Sequence, residues 1–514
     1  MGNRDIEEAR RYHDATKHSY MSIRTSPHYL DWENRPLPFK VYSELLLIEL
    51  PKDFLPPQVS ALTAIATPEV ESPKEGALDL PMLAQVLFFT GGVTRKKVLP
   101  GGGTFFFRAA ACAGALYPVE VYVVCADIPG LAAGVYHFSP ADFALRRLRE
   151  GDCRGELYRA AGEEKAIAEA AVSLVFTAVY WRSAWKYRGR CYRYCFWDSG
   201  TMASNLLATT AAFQLRAKII TGFVDAIVDR LLGIDGKHEV SLFIVPLGTS
   251  QAVPTPDGPV DIPPLDLQTL SLSKTEIEYP EIRRMHFASA LQTEEEVKSW
   301  RGPLTPASPE IKGALNTLQP LEGASTSLQR VDEVILRRGS TRKFGHDTIS
   351  FSQLSTILHS STRGAPADFL DGPQTSLLDI YLIVNAVDEL LPGTYFYSQE
   401  NGGLELLKEG DFRAHAGYLC LEQNLGADAS VVFFFLADLQ KVLGRYGNRV
   451  YRAALLVWGV VGGKMYLGAY ALGLGATGLT FYDDDVIEFF SPHARGKDAI
   501  FIVAVGLHAA RKLN

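Results

Sequence analysis

Trp185-Lys186-Tyr187-Arg188-Gly189-Arg190-Cys191-Tyr192-Arg193 has a second version in the same chain, Gly444-Arg445-Tyr446-Gly447-Asn448-Arg449-Val450-Tyr451-Arg452. Every paired position differs by 259, as in 445 minus 186. The same offset relates Tyr122 to Tyr381, Gly134 to Gly393, Tyr136 to Tyr395, Phe176 to Phe435, Gly200 to Gly459 and Leu215 to Leu474, and carries Glu150-Gly151-Asp152 onto Glu409-Gly410-Asp411. A constant offset over that span means duplication without gaps. The register slips by one at the ends, where Val245-Pro246-Leu247-Gly248 faces Val503-Ala504-Val505-Gly506. Two long units exclude a solenoid of short repeats and predict two homologous domains packed as a pseudo-dimer.

Both copies give the same order of elements. Val119 to Val124 and Leu378 to Val384 read as strands, each followed by a turn and a short Tyr-containing strand. Val172 to Val179 and Val431 to Leu436 are apolar runs of strand length, predicted to be buried on both faces. Asp198 to Phe213 and Val457 to Leu472 read as helices. The second carries Gly459, Gly462, Gly463 and Gly468, which lowers helix propensity and makes sense where another backbone packs close. Ser241 to Val245 and Ala499 to Val505 supply final strands. The fold class is therefore α+β, with mixed or antiparallel sheets flanked by helices. The expected boundaries are a first domain over 1–250, a partly ordered, proline-rich linker over 251–328, and a second domain over 329–514.

Composition narrows the function. Lys plus Arg number 51 against 58 Asp plus Glu, a formal charge of -7, which argues against a general nucleic-acid binder. The amino-terminal Met1 to Glu8 is too charged for a secretory signal, and no later segment of spanning length is apolar throughout and free of glycine, so a cytoplasmic protein with no membrane partner is expected. Six cysteines without zinc-ligand spacing give neither a disulfide framework nor a metal site.

Leu336-Arg337-Arg338-Gly339-Ser340-Thr341-Arg342-Lys343-Phe344 gathers three arginines, a lysine and two hydroxyls, donors suited to a phosphate; a solvated basic helix end is the alternative. Lys186 and Tyr187 are candidates for proton transfer, provided that burial or the arginines at 182, 188, 190 and 193 lower the lysine pKa; a surface pair on a basic loop is the alternative. Gly101-Gly102-Gly103 reads as a turn or lid, Asp483-Asp484-Asp485 as a helix amino-terminal cap, and Cys191 and Cys195 as core.

The Arg337 to Phe344 stretch resembles the Arg-Arg-Ser-x-Arg-x-Phe motif of the nitroreductase superfamily. Arg108-Ala109-Ala110-Ala111-Cys112-Ala113-Gly114-Ala115-Leu116-Tyr117-Pro118-Val119-Glu120 is similar to the Arg-x-x-Pro-Ser-x-Gly-Ala-Leu-Tyr-Pro-x-Glu segment of the SagB/ThcOx branch, the azoline dehydrogenases of peptide natural-product pathways. The Lys186-Tyr187 pair and Gly475-Ala476-Thr477-Gly478-Leu479-Thr480-Phe481 also resemble that branch. The resemblance implies an FMN-dependent oxidoreductase acting on a peptide or small molecule, built as two fused nitroreductase-like domains. It implies Lys186 and Tyr187 as catalytic residues. The FMN contacts it implies are Arg337, Arg338, Ser340 and Arg342, Arg108 with Ala111 to Gly114 (Ala111, Cys112, Ala113, Gly114), Thr477, Gly478 and Leu479, and Arg511 and Lys512 at the end. One departure stands out: Ala111-Cys112 occupies the place of Pro-Ser, removing a hydroxyl.

The copies diverge in complementary ways. The first has only Ser22-Ile23-Arg24-Thr25-Ser26 near its start in place of the basic cluster, and the second replaces Ala-Leu-Tyr-Pro with Gln374-Thr375-Ser376-Leu377-Leu378. One good flavin site per chain is therefore expected, shared between the units, and the chain itself can serve as the pseudo-dimer. Two other readings remain open: an NAD(P)H-dependent nitro or quinone reductase, and a non-catalytic scaffold poor in cofactor.

Overall fold

The computed structural model describes residues 2–67, 70, 78–99, 103–250, 262–302, 309–321, 329–370, 377 and 379–509. In chain order the first unit has strands β1 (Leu47–Glu49), β2 (Val93–Val98), β3 (Thr104–Arg108), β4 (Val119–Cys125), β5 (Gly134–Ser139), β6 (Ala144–Glu150), β7 (Val172–Val179) and β8 (Glu239–Leu247). The second has β9 (Leu315–Thr317), β10 (Asp379–Val384), β11 (Gly393–Ser398), β12 (Gly403–Glu409), β13 (Val431–Ala437), β14 (Gly475–Gly478) and β15 (Asp498–Gly506). The sheets run β1-β6-β5-β4-β7-β8 and β14-β15-β13-β10-β11-β12-β9, with β2 and β3 forming a separate hairpin. All the named pairings are antiparallel. The equivalent pairs β4·β7 and β10·β13 bring Val121 opposite Phe176 and Ile380 opposite Phe435, so the repeat seen in sequence is a repeat of strand register. β7 and β13 are internal and buried throughout, as their unbroken apolar runs predict.

The seam is made by two long helices, Cys191–Ala212 and Arg449–Ala471. They cross at Gly200 and Gly459. A methyl group at either would run into the other helix's backbone, at the Leu456 and Trp197 carbonyls respectively, which is why this pair has no side chain. Arg449–Ala471 is, among the described residues, the one helix long and apolar enough to cross a membrane, and here it is wholly buried in protein.

Both helices begin earlier than the predicted Asp198 and Val457. Their first turns hold Tyr192 and Arg193, and Tyr451 and Arg452, which read as polar loop but are buried. The reason is ionic. Arg193 Nη1 lies 2.8 Å and Arg190 Nη1 3.0 Å from Asp483 of the second unit, while Arg449 and Arg452 reach Asp225 of the first at 2.5 and 2.7 Å. Each pair of equivalent arginines thus crosses to the equivalent aspartate of the other unit. Asp483 was expected to cap the helix Asp483–Phe490; it sits in that helix's first turn, but its carboxylate is committed to this lock and to the His18 N–H at 2.8 Å.

The connecting stretch carries helices Pro280–Ala288 and Glu294–Trp300 as well as β9. Because β9 pairs with β12, the second sheet takes its edge strand from upstream of residue 329.

Candidate active site at the seam

The Arg108–Glu120 segment leaves β3, makes a tight loop and enters β4. Gly114, Ala115 and Tyr117 have φ of 61°, 52° and 50°. Left-handed backbone at an L-residue costs roughly 1–2 kcal/mol, so the loop needs external support. Arg182 gives it, donating to the Tyr117 carbonyl at 3.1 Å while ion-paired to Glu120. His137 Nε2 lies 2.8 Å from the other Glu120 oxygen. Burial opposes charge on Glu120, but Arg182, His137 and Arg108 outweigh it and hold the carboxyl well below the usual range. The motif glutamate therefore pins the loop. Arg108 does the same: its guanidinium donates to the carbonyls of Pro38 (2.7 Å) and Val119 (3.4 Å) and lies over the rings of Phe39 and Tyr117. Both Nη groups of Arg108, expected to contact FMN, are thus used within the protein, while its buried Nε has no hydrogen-bond partner.

Cys112 donates its thiol to Asp198 at 3.0 Å and accepts the Tyr117 N–H at 3.1 Å. Asp198 also accepts the Ala113 N–H at 2.9 Å. Burial pushes Asp198 up to about 7 despite these bonds. Burial, then the nearby Asp198 charge, pushes the Cys112 thiol well up. Cys112 is a hydrogen-bonding thiol that ties the loop to Asp198. Asp198 escaped sequence reading, although its equivalent at the 259 offset is Val457 and a lone acid on an apolar helix was a usable signal.

Lys186 and Tyr187, at the end of the helix Tyr180–Tyr187, cover this loop. A methyl placed on Gly114 would stand 2.9 Å from Tyr187 Oη and 3.3 Å from Lys186 Nζ, so the glycine is required by space and by φ. Tyr187 stacks on Tyr194, centroids 4.2 Å apart. Burial, with Tyr194, Asp198 and Cys112, drives the Tyr187 hydroxyl well above its usual pKa. Lys186 is lowered, first by burial and then by Arg342 of the second unit. The sequence reading had pointed to four neighbouring arginines. Three of them are occupied in ion pairs, Arg182 with Glu120 and Arg190 and Arg193 with Asp483, and Arg188 bonds Ser26 at 3.0 Å. The cation that acts on Lys186 comes from across the seam. In the second copy, Tyr446 is buried and donates to the Gly302 carbonyl at 2.9 Å, a structural role.

The second unit's basic segment reaches the same loop. Arg338 donates to the Ala109 carbonyl at 3.0 and 3.2 Å and to the Arg108 carbonyl at 3.2 Å. Ser340 Oγ is 3.4 Å from Tyr466 Oη, which accepts the Gly478 N–H at 2.5 Å. The Thr341 N–H donates to the Ala476 carbonyl at 2.9 Å, tying the segment to β14, and the Leu479 N–H bonds Ile502 at 3.2 Å. Thr477 is buried with its hydroxyl near its neighbour's carbonyl. Arg337 parts company with this group: its guanidinium bonds the Tyr470 carbonyl and Gln329, clamping the end of the second core helix, since alternate residues leaving a helix cannot face one site. Among the described residues neither Arg338 nor Arg342 has a carboxylate partner. Arg511, Lys512, Gly101, Gly102 and the stretch from Gln374 to Ser376 lie outside the described residues. Arg24 pairs with Glu422 at 3.3 Å, and Cys191 and Cys195 are core, as read.

Comparison with known proteins agrees with this architecture. The nitroreductase family profile matches residues 75–249 and 335–507, once in each repeat. A putative nitroreductase of Methanocaldococcus jannaschii is 30% identical over 171 residues, 33% of this chain and 81% of that protein. The microcin B17-processing protein McbC of Escherichia coli is 26% identical over 137 residues, 26% of this chain and 50% of McbC. The trifolitoxin-processing protein TfxB of Rhizobium leguminosarum is 26% identical over 192 residues, 35% of this chain and 51% of TfxB. The matched part thus spans about half the length of these two proteins. The crystal structure of a putative nitroreductase from Anabaena variabilis superposes over 98% of this chain and 99% of that one, with a TM-score of 0.77 and 26% identity. With the profile matched in both repeats and over more than half its length, the chain belongs to the nitroreductase family.

Proposed function

We propose that the protein is an FMN-dependent oxidoreductase of the azoline-dehydrogenase type, oxidising an azoline or related C–N-containing group in a peptide or small molecule. The observation that carries this reading is the contact of Arg338 with the Arg108 and Ala109 carbonyls, which sets the basic segment of one repeat beside the small-residue loop of the other. The residues fit a flavin mononucleotide. Arg338 and Arg342 lack carboxylate partners among the described residues and suit a phosphate, as does the Ser340 hydroxyl. Gly114 lets Lys186 and Tyr187 close onto the small-residue loop, which sets the proposed catalytic pair against the backbone that would meet the ring. The likeness to the microcin B17- and trifolitoxin-processing proteins McbC and TfxB is in keeping with the branch that the Arg108 to Glu120 segment resembles, and the likeness to a putative nitroreductase keeps the reductase as the second reading.

When bound, a flavin supplies an acceptor for a hydride. Dehydrogenation of an azoline ring removes a hydride from one ring carbon and a proton from its neighbour, and Lys186 Nζ would accept that proton. Burial and the Arg342 cation favour the neutral amine needed for that task. Tyr187 keeps its proton and acts as a hydrogen-bond donor orienting the substrate. Asp198 and Cys112 hold the 112–114 backbone in place, and Tyr194 supports the Tyr187 ring.

The visible spectrum of the purified protein tests the flavin. A yellow protein with one FMN per chain is expected; a colourless one that takes up no added FMN contradicts the proposal and returns the scaffold reading. Anaerobic mixing separates the two enzymes. Slow bleaching by NADPH with faster bleaching by an azoline peptide is expected, and the reverse order identifies a nitro or quinone reductase.

A further inference from the structure

A second site lies away from the seam, on the first unit. Asp229, in the helix Asp225–Leu232, is 6% exposed. Its Oδ1 accepts both the N–H (2.9 Å) and the hydroxyl (2.7 Å) of Ser241 on β8. Among the described residues no donor reaches Oδ2. That oxygen lies beside Gly236, where an added methyl would stand 2.8 Å from it. Both residues line a cavity of about 550 Å³ between this helix, the 233–237 turn and the helix Pro280–Ala288. Much of its wall is apolar, from Ala226, Ile234, Leu265, Phe287 and Ala290. Its volume is in the range of small-molecule sites, which pair apolar walls with a few placed polar groups.

Three of the other ionisable groups facing this cavity are spoken for. Asp225 is paired with Arg449 and Arg452, and Asp235 accepts the His238 ring at 2.5 Å and the N–H groups of its own turn. Burial keeps His286 neutral, and it bonds Tyr180 at 3.2 Å. Arg230 and Lys237, both exposed, stand on the lining as well, and among the described residues neither is hydrogen-bonded to Asp229. Asp229 thus has one oxygen satisfied twice by Ser241 and the other opening onto the cavity with no protein donor among the described residues, and its carboxyl is pushed up to about 7, by burial first. A carboxyl oxygen that opens onto a cavity can take a ligand's donor in place of water. A ligand cation would bring donor and countercharge together. Part of the cavity wall, from Pro264 to Gln292, lies between the two segments that match the family, so the site belongs to the connection peculiar to this arrangement.

We propose that this cavity binds a primary ammonium carried on an apolar skeleton, with Asp229 Oδ2 as the acceptor. The probes are 2-phenylethylammonium and its neutral isostere 2-phenylethanol, titrated into the full-length protein by calorimetry. The ammonium is expected to bind at least tenfold more tightly than the alcohol. Asp229→Asn retains an oxygen for Ser241 and should erase that preference. Ala226→Trp, on an exposed position of the same helix, should block the cavity and weaken both probes at least tenfold while leaving the unfolding curve and flavin content unchanged. Equal binding of the two probes, no binding of the ammonium at millimolar concentration, an ammonium preference that survives Asp229→Asn, or undiminished binding of both probes to Ala226→Trp overturns the proposal. The seam site is a separate matter: Lys186→Ala should leave this binding intact.

Discussion

Arg193 of the first repeat meets Asp483 of the second at 2.8 Å, and the equivalent pair runs the other way, Arg452 meeting Asp225 at 2.7 Å. All four side chains are buried. The two units are therefore interlocked by reciprocal charges drawn from opposite halves of the chain. Removing one partner leaves charges buried without compensation, which typically costs about 3–5 kcal/mol. Asp483→Asn should lose stability of that order in chemical denaturation, and Asp483→Asn combined with Arg193→Met should recover part of it. Loss of under 1 kcal/mol in the single variant would show that the lock contributes little.

The same lock sets an acid limit. Burial opposes the charge on Asp225 and Asp483, but their arginines win, lowering Asp225 to about 2 and Asp483 below its ordinary value of 3.8. A carboxyl with a depressed folded pKa stabilises the fold above its unfolded pKa and ceases to do so as pH falls toward the folded one. Stability should drop between about pH 4 and pH 2, and Asp225→Asn should flatten that drop in a urea series across pH.

Asp198 behaves in the opposite sense. Its folded pKa is raised to about 7 from 3.8, so ionisation weakens the folded state as pH rises through that window. Asp198→Asn keeps an acceptor for the Ala113 N–H and should unfold roughly 1–3 kcal/mol later at pH 8 while matching the parent at pH 4. An unchanged pH dependence would remove Asp198 as a buried proton carrier. Flavin content in the same variant reports whether the 112–114 loop needs the carboxyl or only its oxygen.

Gly114→Ala puts a methyl group 2.9 Å from Tyr187 Oη in a left-handed residue. The loop would have to shift, so flavin content is expected to fall at least tenfold with unchanged far-ultraviolet circular dichroism. Full flavin content in this variant would place the ring elsewhere.

Lys186→Ala should keep its flavin and lose turnover on the order of 100-fold or more, the usual contribution of a positioned base. Lys186→Arg should not restore it, because arginine holds its proton throughout the working range. Rescue by arginine would make Lys186 a binding cation.

Much of this was legible from the offset of 259. It showed the duplication, while the apolar runs marked the internal strands β7 and β13 and the glycines of the second core helix marked a close backbone approach, which falls at Gly459 against Gly200. The starts of the two core helices were misread because Arg190, Arg193, Arg449 and Arg452 look solvated until their partners are known. Those partners, Asp483 and Asp225, are hundreds of residues away, and no local periodicity marks them. The same limit explains Lys186: its effective neighbour, Arg342, comes from the other repeat and not from the basic stretch around it. Arg337 and Arg338 are adjacent in sequence and indistinguishable by composition, yet one clamps a helix end and the other reaches the seam.

That difference gives the most direct test of a flavin held between the repeats. Arg338→Met and Arg337→Met should be purified side by side and their bound FMN measured by absorbance after release. The composite site predicts that Arg338→Met retains less than a tenth of the flavin of the parent while Arg337→Met retains most of it. Full flavin content in Arg338→Met, or equal loss in both, would contradict it.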